Sequence, residues 1–402
     1  MNSTEPYREK AVIAGLLTPN MDRSLFEEDM NEMELLCDTA GAEVAGVFRQ
    51  QRSCIATGTY LGVGKLREIK SAMRTSDATT LVIDAHLAPG QIKAVEKIVQ
   101  GKVIDRGQLI LDIFAMHART AEARLQVELA QMRMLYPRLT HAWTHFSQQV
   151  GGIGTRGPGE KQLEVDRRLV QKRITDLKRK LSKIERGRVI QRGGRGALFQ
   201  AALVGYTNVG KSSLLNALCG SSVLVENKLF ATLDTSTRRS YIPGAGTIII
   251  SDTVGLLRKL PHHLIASFRS TLTEVSEANL LLVVMDASSC WNEQQMATVE
   301  EVLADLDAGG IPRLIVFNKA DRIDDPFSRK KLMLQWPDAL FTSVFDKDSI
   351  GALKTAIAES VREFTSARKK DDLILHTTSR YLRNDVPVGA PSGDETRNSP
   401  AP

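Results

Sequence analysis

Cysteine is scarce in this 402-residue chain, and its four cysteines, Cys37, Cys54, Cys219 and Cys290, lie far apart. The sequence has no C-x-x-C pair, and no histidine lies at metal-ligand spacing from a cysteine. This pattern argues against a disulfide-stabilised scaffold or a zinc-finger type of site. It is typical of free thiols in a reducing compartment, so we expect a cytoplasmic protein.

Long apolar runs are also missing. One of the most apolar stretches, residues 280–285, has the length of a strand and is far shorter than the roughly 20 residues that span a membrane. Residues 1–10 are polar and charged, so we expect neither a signal peptide nor a membrane span. With 42% hydrophobic residues over 402 positions, the chain should form two or three globular domains.

Positive charge is abundant but concentrated in one segment. Residues 160–195 contain 13 lysines and arginines against 5 acidic residues, a local charge of +8, whereas the whole chain carries +6. The rest of the chain is therefore slightly acidic. A basic segment of this kind predicts an anionic partner, and RNA phosphates match it better than an acidic helix does. A merely solvated basic face is the alternative.

The sequence contains one complete G-x-x-x-x-G-K-[ST] loop. Its eight residues are Gly205, Tyr206, Thr207, Asn208, Val209, Gly210, Lys211 and Ser212. An apolar stretch that reads as a strand precedes the loop and a helical pattern follows it, which is the setting in which backbone N–H groups bind phosphates. Lys211 would reach the outer phosphates and Ser212 would ligate Mg²⁺. A glycine-rich turn without a ligand is the alternative.

Two further motifs follow apolar strands. Asp252, Thr253, Val254 and Gly255 form a D-x-x-G element, in which Asp252 can hold Mg²⁺ through water and the Gly255 N–H can contact the terminal phosphate. Asn318, Lys319, Ala320 and Asp321 form an N-K-x-D element. The Asp321 carboxylate can accept hydrogen bonds from guanine but would face adenine unpaired, so it selects GTP over ATP. Together the three motifs predict a GTP-binding domain.

The pattern of apolar runs predicts an α/β protein with several units. Residues 1–109 alternate short strands (11–14, 44–48, 80–84, 102–105) with helices (25–40, 66–74, 91–100), which predicts a small parallel α/β unit. Residues 58–65 resemble a phosphate loop but have Thr59 and Leu66 at two key positions. We therefore interpret this segment as a structural turn.

Residues 110–196 change to long helical patterns and predict an antiparallel hairpin. Its tip, residues 151–159, is rich in glycine, so its backbone could approach a ligand closely; a simple flexible connection is the alternative. Residues 197–366 should form a doubly wound P-loop GTPase domain with helices at 292–306 and 349–364. The tail, residues 367–402, is expected to be mostly disordered, above all 386–402.

These residues together resemble the HflX family of ribosome-associated GTPases. The stretch 151–168 is similar to that family's hallmark, apart from Lys161 where Thr is usual, and residues 125–131, 230–234 and 260–263 are similar as well. The resemblance covers roughly residues 11 to 365. It implies that the α/β unit and the hairpin bind the large ribosomal subunit through ribosomal RNA, with the loop 151–159 directed toward the peptidyl-transferase centre. We expect the protein to be a monomer.

The resemblance also implies roles for single residues. It assigns a nucleotide-dependent switch segment, Phe230, Ala231, Thr232, Leu233 and Asp234, in which Thr232 completes the Mg²⁺ shell with Ser212. The residues alone leave Thr232, Thr235 and Thr237 open for that role. Asn208 would contribute to a K⁺ site. Ser343 and Val344 would form the last guanine-binding loop, although Val344 replaces the usual Ala.

The position after the D-x-x-G motif is Leu256, where many small GTPases have a water-orienting glutamine. We therefore expect slow intrinsic hydrolysis that needs K⁺ or a partner. The resemblance implies a role in ribosome splitting and rescue or in ribosome biogenesis. Two alternatives remain: a GTPase associated with tRNA or rRNA modification, and an RNA-binding factor that binds GTP without hydrolysing it.

Overall fold

A computed structural model describes residues 8–141, 158–192, 198–220, 229–230, 236–259, 274–323 and 325–384. The first unit alternates strands and helices: β1 (Lys10–Leu17), α1 (Arg23–Thr39), β2 (Glu43–Gln51), α2 (Val63–Ser76), β3 (Thr80–Ile83), α3 (Pro89–Val99) and β4 (Lys102–Asp105). The four strands are parallel and lie in the order β2-β1-β3-β4. The predicted small parallel α/β unit is present.

Both faces of this first sheet are covered, which explains why its strands read as continuous apolar runs. Helix α1 begins after Asp22, whose carboxylate accepts from the backbone N–H groups of Ser24 and Leu25. The helix buries Phe26 and Met30 against one face of the sheet. Helices α2 and α3 cover the other face. The segment 58–65 forms a turn that leads directly into α2, in which the Tyr60 N–H donates to the Ala56 oxygen at 2.7 Å.

Helix α4 (Arg106–His117) packs against α1 and completes the first unit. Two long helices follow: α5 (Ala121–His141) and α6 (Pro158–Arg192). Helices α5 and α6 are antiparallel, because Glu128 pairs with Arg173 (Oε1 to Nη2, 2.5 Å) while Tyr136 lies against Arg167. The predicted antiparallel hairpin is therefore present, and its two helices share an apolar contact formed by Leu125, Leu129, Met132, Tyr136, Val170, Ile174, Leu177 and Leu181. Most of the predicted tip, residues 151–157, lies outside the described residues.

The second sheet has the order β10-β9-β8-β5-β7-β6 and is parallel except for the β6–β7 pair. Its elements are β5 (Gln200–Gly205), α7 (Lys211–Cys219), β6 (Ser236–Ile242), β7 (Gly246–Asp252), β8 (Leu280–Asp286), α8 (Asn292–Asp305), β9 (Arg313–Asn318), α9 (Pro326–Gln335), β10 (Leu340–Phe341) and α10 (Lys347–Asn384). Strand β5 lies between β7 and β8, so the carboxyl ends of these strands meet at one edge, where open α/β sheets bind ligands.

The last helix is longer than predicted. We expected it to end near residue 364 and the tail to be mostly disordered from 367 onward, but α10 continues to Asn384. The loss of apolar periodicity suggested an end, yet residues 367–384 contain no glycine or proline and are rich in good helix formers. The segment 386–402 lies outside the described residues.

The two sheet units share one hydrophobic core. A single cluster of buried residues runs from Phe26 and Phe114 of the first unit to Leu214 and Phe230 of the second. The rings of Phe114 and Phe230 meet edge to face with their centroids 4.7 Å apart. No helix in the described part of the chain is long and apolar enough to cross a membrane.

Candidate functional site

The predicted phosphate loop connects strand β5 to helix α7, as its sequence context indicates. Gly210 has φ +89°, and a Cβ added there would lie 2.4 Å from the Asn318 Nδ2, so glycine is required for both conformation and space. Asn208 is also left-handed, with φ +59°, a conformation that asparagine tolerates better than most residues. The loop thereby turns sharply into the N-terminus of α7.

Lys211 lies at the centre of this loop and is buried. Its Nζ donates to the backbone oxygens of Gly205 at 3.1 Å and Tyr206 at 2.8 Å. Burial lowers the pKa of Lys211 to about 8, against the opposing effect of the nearby Asp252 carboxylate. A nearby anion would stabilise the charged form of this buried ammonium group, so Lys211 is suited to phosphate binding.

Ser212 and Asp252 come together although 40 residues separate them. The Ser212 Oγ lies 2.5 Å from the Asp252 Oδ2, because β7 ends beside the start of α7. A hydroxyl and a carboxylate oxygen are the hard ligands that Mg²⁺ prefers, so this pair fits the predicted metal. Among the described residues, no group of three or more His, Cys, Asp or Glu side chains could hold a metal ion. Ala231, Thr232, Leu233 and Asp234 lie outside the described residues.

The segment after Asp252 lies directly on the phosphate loop. The Leu256 N–H donates to the Gly205 oxygen at 3.0 Å, and the Thr207 N–H donates to the Leu256 oxygen at 2.8 Å. A Cβ added at Gly255 would lie 2.9 Å from the Thr207 Cα and 3.3 Å from the Lys211 Nζ. Only glycine at position 255 therefore allows the backbone to come this close to Thr207 and Lys211.

The remaining predicted residues of this region have structural partners. The Thr253 hydroxyl donates to the Leu203 oxygen at 2.7 Å and is buried, and Val254 is buried as well. Phe230 is buried against Phe114 of the first unit. The start of the predicted switch segment therefore contacts α4.

The predicted guanine-binding residues lie beside the phosphate loop. The Lys319 Nζ is 2.7 Å from both the Asn208 oxygen and the Asp286 Oδ2. Asp321 is exposed in a short 3-10 turn, Ala320–Arg322, at the end of β9. The Ala320 N–H donates to the Thr342 oxygen at 3.0 Å, which brings Ser343 and Val344 next to this turn. Asn318 and Lys319 thus connect the predicted guanine-binding element to the phosphate loop.

Sequence reasoning missed a cluster of charged residues at the boundary of the two units. Arg258 and Lys259, three and four positions after Gly255, pair with Asp29 of α1, and Lys259 also reaches Asp84 at 3.0 Å. Arg106 pairs with Glu32 and, at 2.8 Å, with Asp84. One signal could have revealed them: Asp29 and Glu32 fall on the same helical face as the apolar positions of α1.

Comparison with known proteins covers all three regions of the chain. Three family models match: "GTP-binding GTPase N-terminal" over residues 27–115, "GTP-binding GTPase Middle Region" over 117–195, and "50S ribosome-binding GTPase" over 200–319. They follow one another along the chain in that order.

Two curated relatives are similar over most of their length. A protein of Flavobacterium psychrophilum called GTPase HflX is 43% identical over 381 residues, which cover 90% of this chain and 92% of the relative. The GTPase HflX of Escherichia coli is 43% identical over 300 residues, covering 74% and 70%. Among solved structures, a GTP-binding protein from Sulfolobus solfataricus in complex with GDP is 22% identical, with a TM-score of 0.47 over 89% of this chain and 99% of its own.

Proposed function

The chain belongs to the HflX family of GTPases, and we propose that this GTP-hydrolysing protein binds the large ribosomal subunit under the control of its nucleotide. The match of residues 200–319 to the 50S ribosome-binding GTPase model supports the proposal. The observation that carries it is the basic surface of α6. GTP orders the switch segments and favours the conformation that binds ribosomal RNA, and hydrolysis releases the subunit.

Arg167 and Arg173 of α6 contact α5, but part of the basic surface of α6 lies away from that contact. Leu177 is fully buried against α5, whereas its basic neighbours are all exposed: Lys178, Arg179, Lys180 and Lys183. Closer to the tip, a groove of about 490 Å³ is lined by Tyr136, Arg167, Arg168 and Lys172 among others. Arginines beside an aromatic ring suit RNA, since they bind phosphates and stack on bases.

In this proposal, different residues of the nucleotide site bind the phosphates and the guanine base. Lys211 binds the outer phosphates, and the Gly255 N–H contacts the terminal one. Asp321 accepts hydrogen bonds from guanine, and Lys319 supports that loop from its place beside Asn208. Leu256 cannot orient a water molecule, so hydrolysis by the free protein is slow and is accelerated by the ribosomal partner.

A magnesium ion would be held by Ser212 and Thr232, and by Asp252 through water. When bound, such an ion neutralises charge on the phosphates. Asn208 would contribute to a K⁺ site beside the same phosphates. Asn208 is exposed, and its backbone oxygen accepts from the Lys319 Nζ, so its side chain is not used in that contact.

The glycine-rich tip, residues 151–159, is proposed to act on the ribosome at the far end of the hairpin. Its composition supports this, because a backbone with few side chains can enter a narrow RNA-lined space. The physiological outcome is subunit splitting and rescue or subunit biogenesis. Both outcomes use the same docking surface on α6.

Cosedimentation with purified ribosomal subunits tests the proposal. Replacing Lys178, Arg179, Lys180 and Lys183 with glutamine should leave the fold and GTP affinity intact but weaken large-subunit binding in the presence of a non-hydrolysable GTP analogue. The salt dependence of binding should become shallower, because fewer phosphate contacts release fewer counterions. The matched control neutralises four exposed lysines outside the hairpin: Lys97, Lys330, Lys331 and Lys347. Equal binding by both variants would move the RNA contact to another surface.

A further inference from the structure

The hydroxyl of Tyr206 links three parts of the molecule. Tyr206 is the second residue of the phosphate loop, and its hydroxyl donates to the Glu32 carboxylate of α1. The same oxygen accepts the backbone N–H of Arg258 at 3.0 Å. Tyr206 and Glu32 are both buried. Burial and the Glu32 charge raise the pKa of Tyr206, so the phenol keeps its proton and acts as the donor.

The segment that follows Gly255 is held by the first unit through charge as well. The Arg258 guanidinium pairs with Asp29, while its backbone oxygen accepts from the Arg106 Nη2 at 3.2 Å. The Lys259 Nζ lies 2.7 Å from the Asp29 Oδ2. Arg106 is completely buried, so the loss of its partners would leave an unpaired charge in the protein interior, which is energetically costly. The cluster therefore fixes residues 258–259 against α1.

The same segment is tied to the phosphate loop at its other end. Leu256 exchanges two backbone hydrogen bonds with Gly205 and Thr207, and Gly255 lies against the Lys211 Nζ. The place of the Gly255 N–H is thus set jointly by the phosphate loop and by the first unit. Tyr206 belongs to both connections, since it is a loop residue whose side chain contacts α1 and Arg258.

Helix α4 contributes to a second, separate contact. It begins with Arg106, in the charged cluster, and carries Phe114, whose ring meets Phe230 at the start of the predicted switch segment. One helix of the first unit therefore touches the flanks of both segments that respond to the terminal phosphate in GTPases.

From these contacts we infer that Tyr206 is a positioning residue that couples the terminal phosphate of GTP to the N-terminal α/β unit. Its hydroxyl holds Arg258 against Glu32 and so keeps the Gly255 N–H where that phosphate binds. The docked arrangement favours a nucleotide that has a terminal phosphate over one that lacks it. Coupling is reciprocal, so GTP also tightens the contact between the units. The inference rests on the GTPase activity and not on ribosome binding.

The first test is Tyr206→Phe, which keeps the ring and removes only the hydroxyl. Affinities for GDP and for a non-hydrolysable GTP analogue are measured on the full-length protein. The affinity for the analogue should fall about tenfold more than the affinity for GDP, within the usual range of coupling between sites. The control is Tyr241→Phe, the same change at an exposed ring on β6, which should alter neither affinity.

A second variant approaches the same hydroxyl from the other unit. Glu32→Gln should reproduce the selective loss of analogue affinity, although Glu32 lies 174 residues from Tyr206 in sequence. In the double variant the two losses of analogue affinity should not add, because both substitutions remove the same hydrogen bond between Tyr206 and Glu32. Equal losses for GDP and analogue would reduce Tyr206 to a structural part of the loop and overturn the inference. Additive losses, or a gain in analogue affinity, would overturn it too.

The unaltered protein supplies a measurement that does not depend on a variant folding. Backbone amides of residues 256–259 should exchange with solvent more slowly with the GTP analogue than with GDP, since the analogue strengthens the docked arrangement. Amides of α1 around residues 29–32 should follow the same order. Identical exchange in the two nucleotide states would contradict the coupling. Neither measurement uses ribosomes, so the proposed function can fail while this inference stands.

Discussion

The side-chain amide of Asn318 donates to the backbone oxygen of Val209 at 2.9 Å. This bond connects the loop that is proposed to bind guanine to the predicted phosphate loop. Lys319 adds a second connection, from its Nζ to the Asn208 oxygen. Because Asn318 and Lys319 carry these structural contacts, changes at Asp321 can test base recognition separately from phosphate binding.

Asp321→Asn should lower GTP affinity and favour xanthine nucleotides. The carboxylate offers two acceptors to guanine, whereas the amide offers one acceptor and one donor. The loss should be at least about tenfold, the usual effect of leaving a polar group unpaired. Titration with fluorescent GDP and XDP measures it. Unchanged GDP affinity would remove Asp321 from the guanine site.

Gly255→Ala should slow GTP hydrolysis by about tenfold or more, since a tenfold change needs only about 1.4 kcal/mol. The new methyl group would lie 2.9 Å from the Thr207 Cα, so the segment must move away from the phosphate loop. GDP affinity should change little, because GDP lacks the terminal phosphate. Gly351→Ala, at an open position, is the matched control and should hydrolyse GTP at the normal rate. A normal rate in Gly255→Ala would contradict the close approach.

Nucleotide affinity should fall as the pH rises above 8. Burial lowers the pKa of Lys211 to about 8 in the nucleotide-free protein, and bound phosphate favours its charged form and raises that pKa. Binding therefore takes up a proton between the two pKa values, and affinity decreases by up to about tenfold per pH unit in that window. Calorimetry in buffers of different ionisation enthalpy measures the uptake. Proton release, or affinity independent of pH from 8 to 9.5, would contradict it.

Glu28→Gln should stabilise the protein near pH 8. Burial raises the pKa of Glu28 to about 7, only partly offset by Arg258 at 3.7 Å. The folded state thus binds the extra proton, and the free energy of unfolding falls as the pH rises toward 7 and stays reduced above it. After allowance for solvent screening, the gain from glutamine is about 1 kcal/mol at pH 8 and near zero at pH 4.

Urea unfolding at the two pH values measures this effect. Glu301→Gln provides the comparison, since Glu301 is an exposed carboxylate on α8. This control should leave the free energy of unfolding unchanged at both pH values. A Glu28→Gln variant that is less stable than the unaltered protein at pH 8 would show that the pairing with Arg258 outweighs the burial.

Asn208→Gly should abolish the stimulation of hydrolysis by K⁺ over Na⁺ while preserving GDP affinity within about twofold. Glycine accepts the left-handed backbone at this position, so only the side chain is lost. Rates measured in matched K⁺ and Na⁺ buffers test the assignment. Stimulation that persists in the variant would place the monovalent ion elsewhere.

Much of the nucleotide site could be predicted because its signals are local. Lys211 and Ser212 follow a strand at fixed spacing, and Asp252 and Asn318 end two other parallel strands of the same sheet. A parallel sheet must therefore bring them to one edge. The end of the last helix could not be predicted in the same way. Apolar periodicity marks only the part of a helix that packs on a core, and α10 continues to Asn384 beyond that part.

The sequence by itself determined the order of the α/β units, the helical hairpin and the phosphate loop, because periodicity and motif spacing act within one or two elements. Only the tertiary structure decided that Tyr206 meets Glu32 and that Arg258 meets Asp29, across 174 and 229 residues. Those pairs depend on how two separately patterned sheets share one core. The position of Asp29 and Glu32 on the apolar face of α1 could indicate that they are buried, but only the docking of the second unit supplies Tyr206 and Arg258 as their partners.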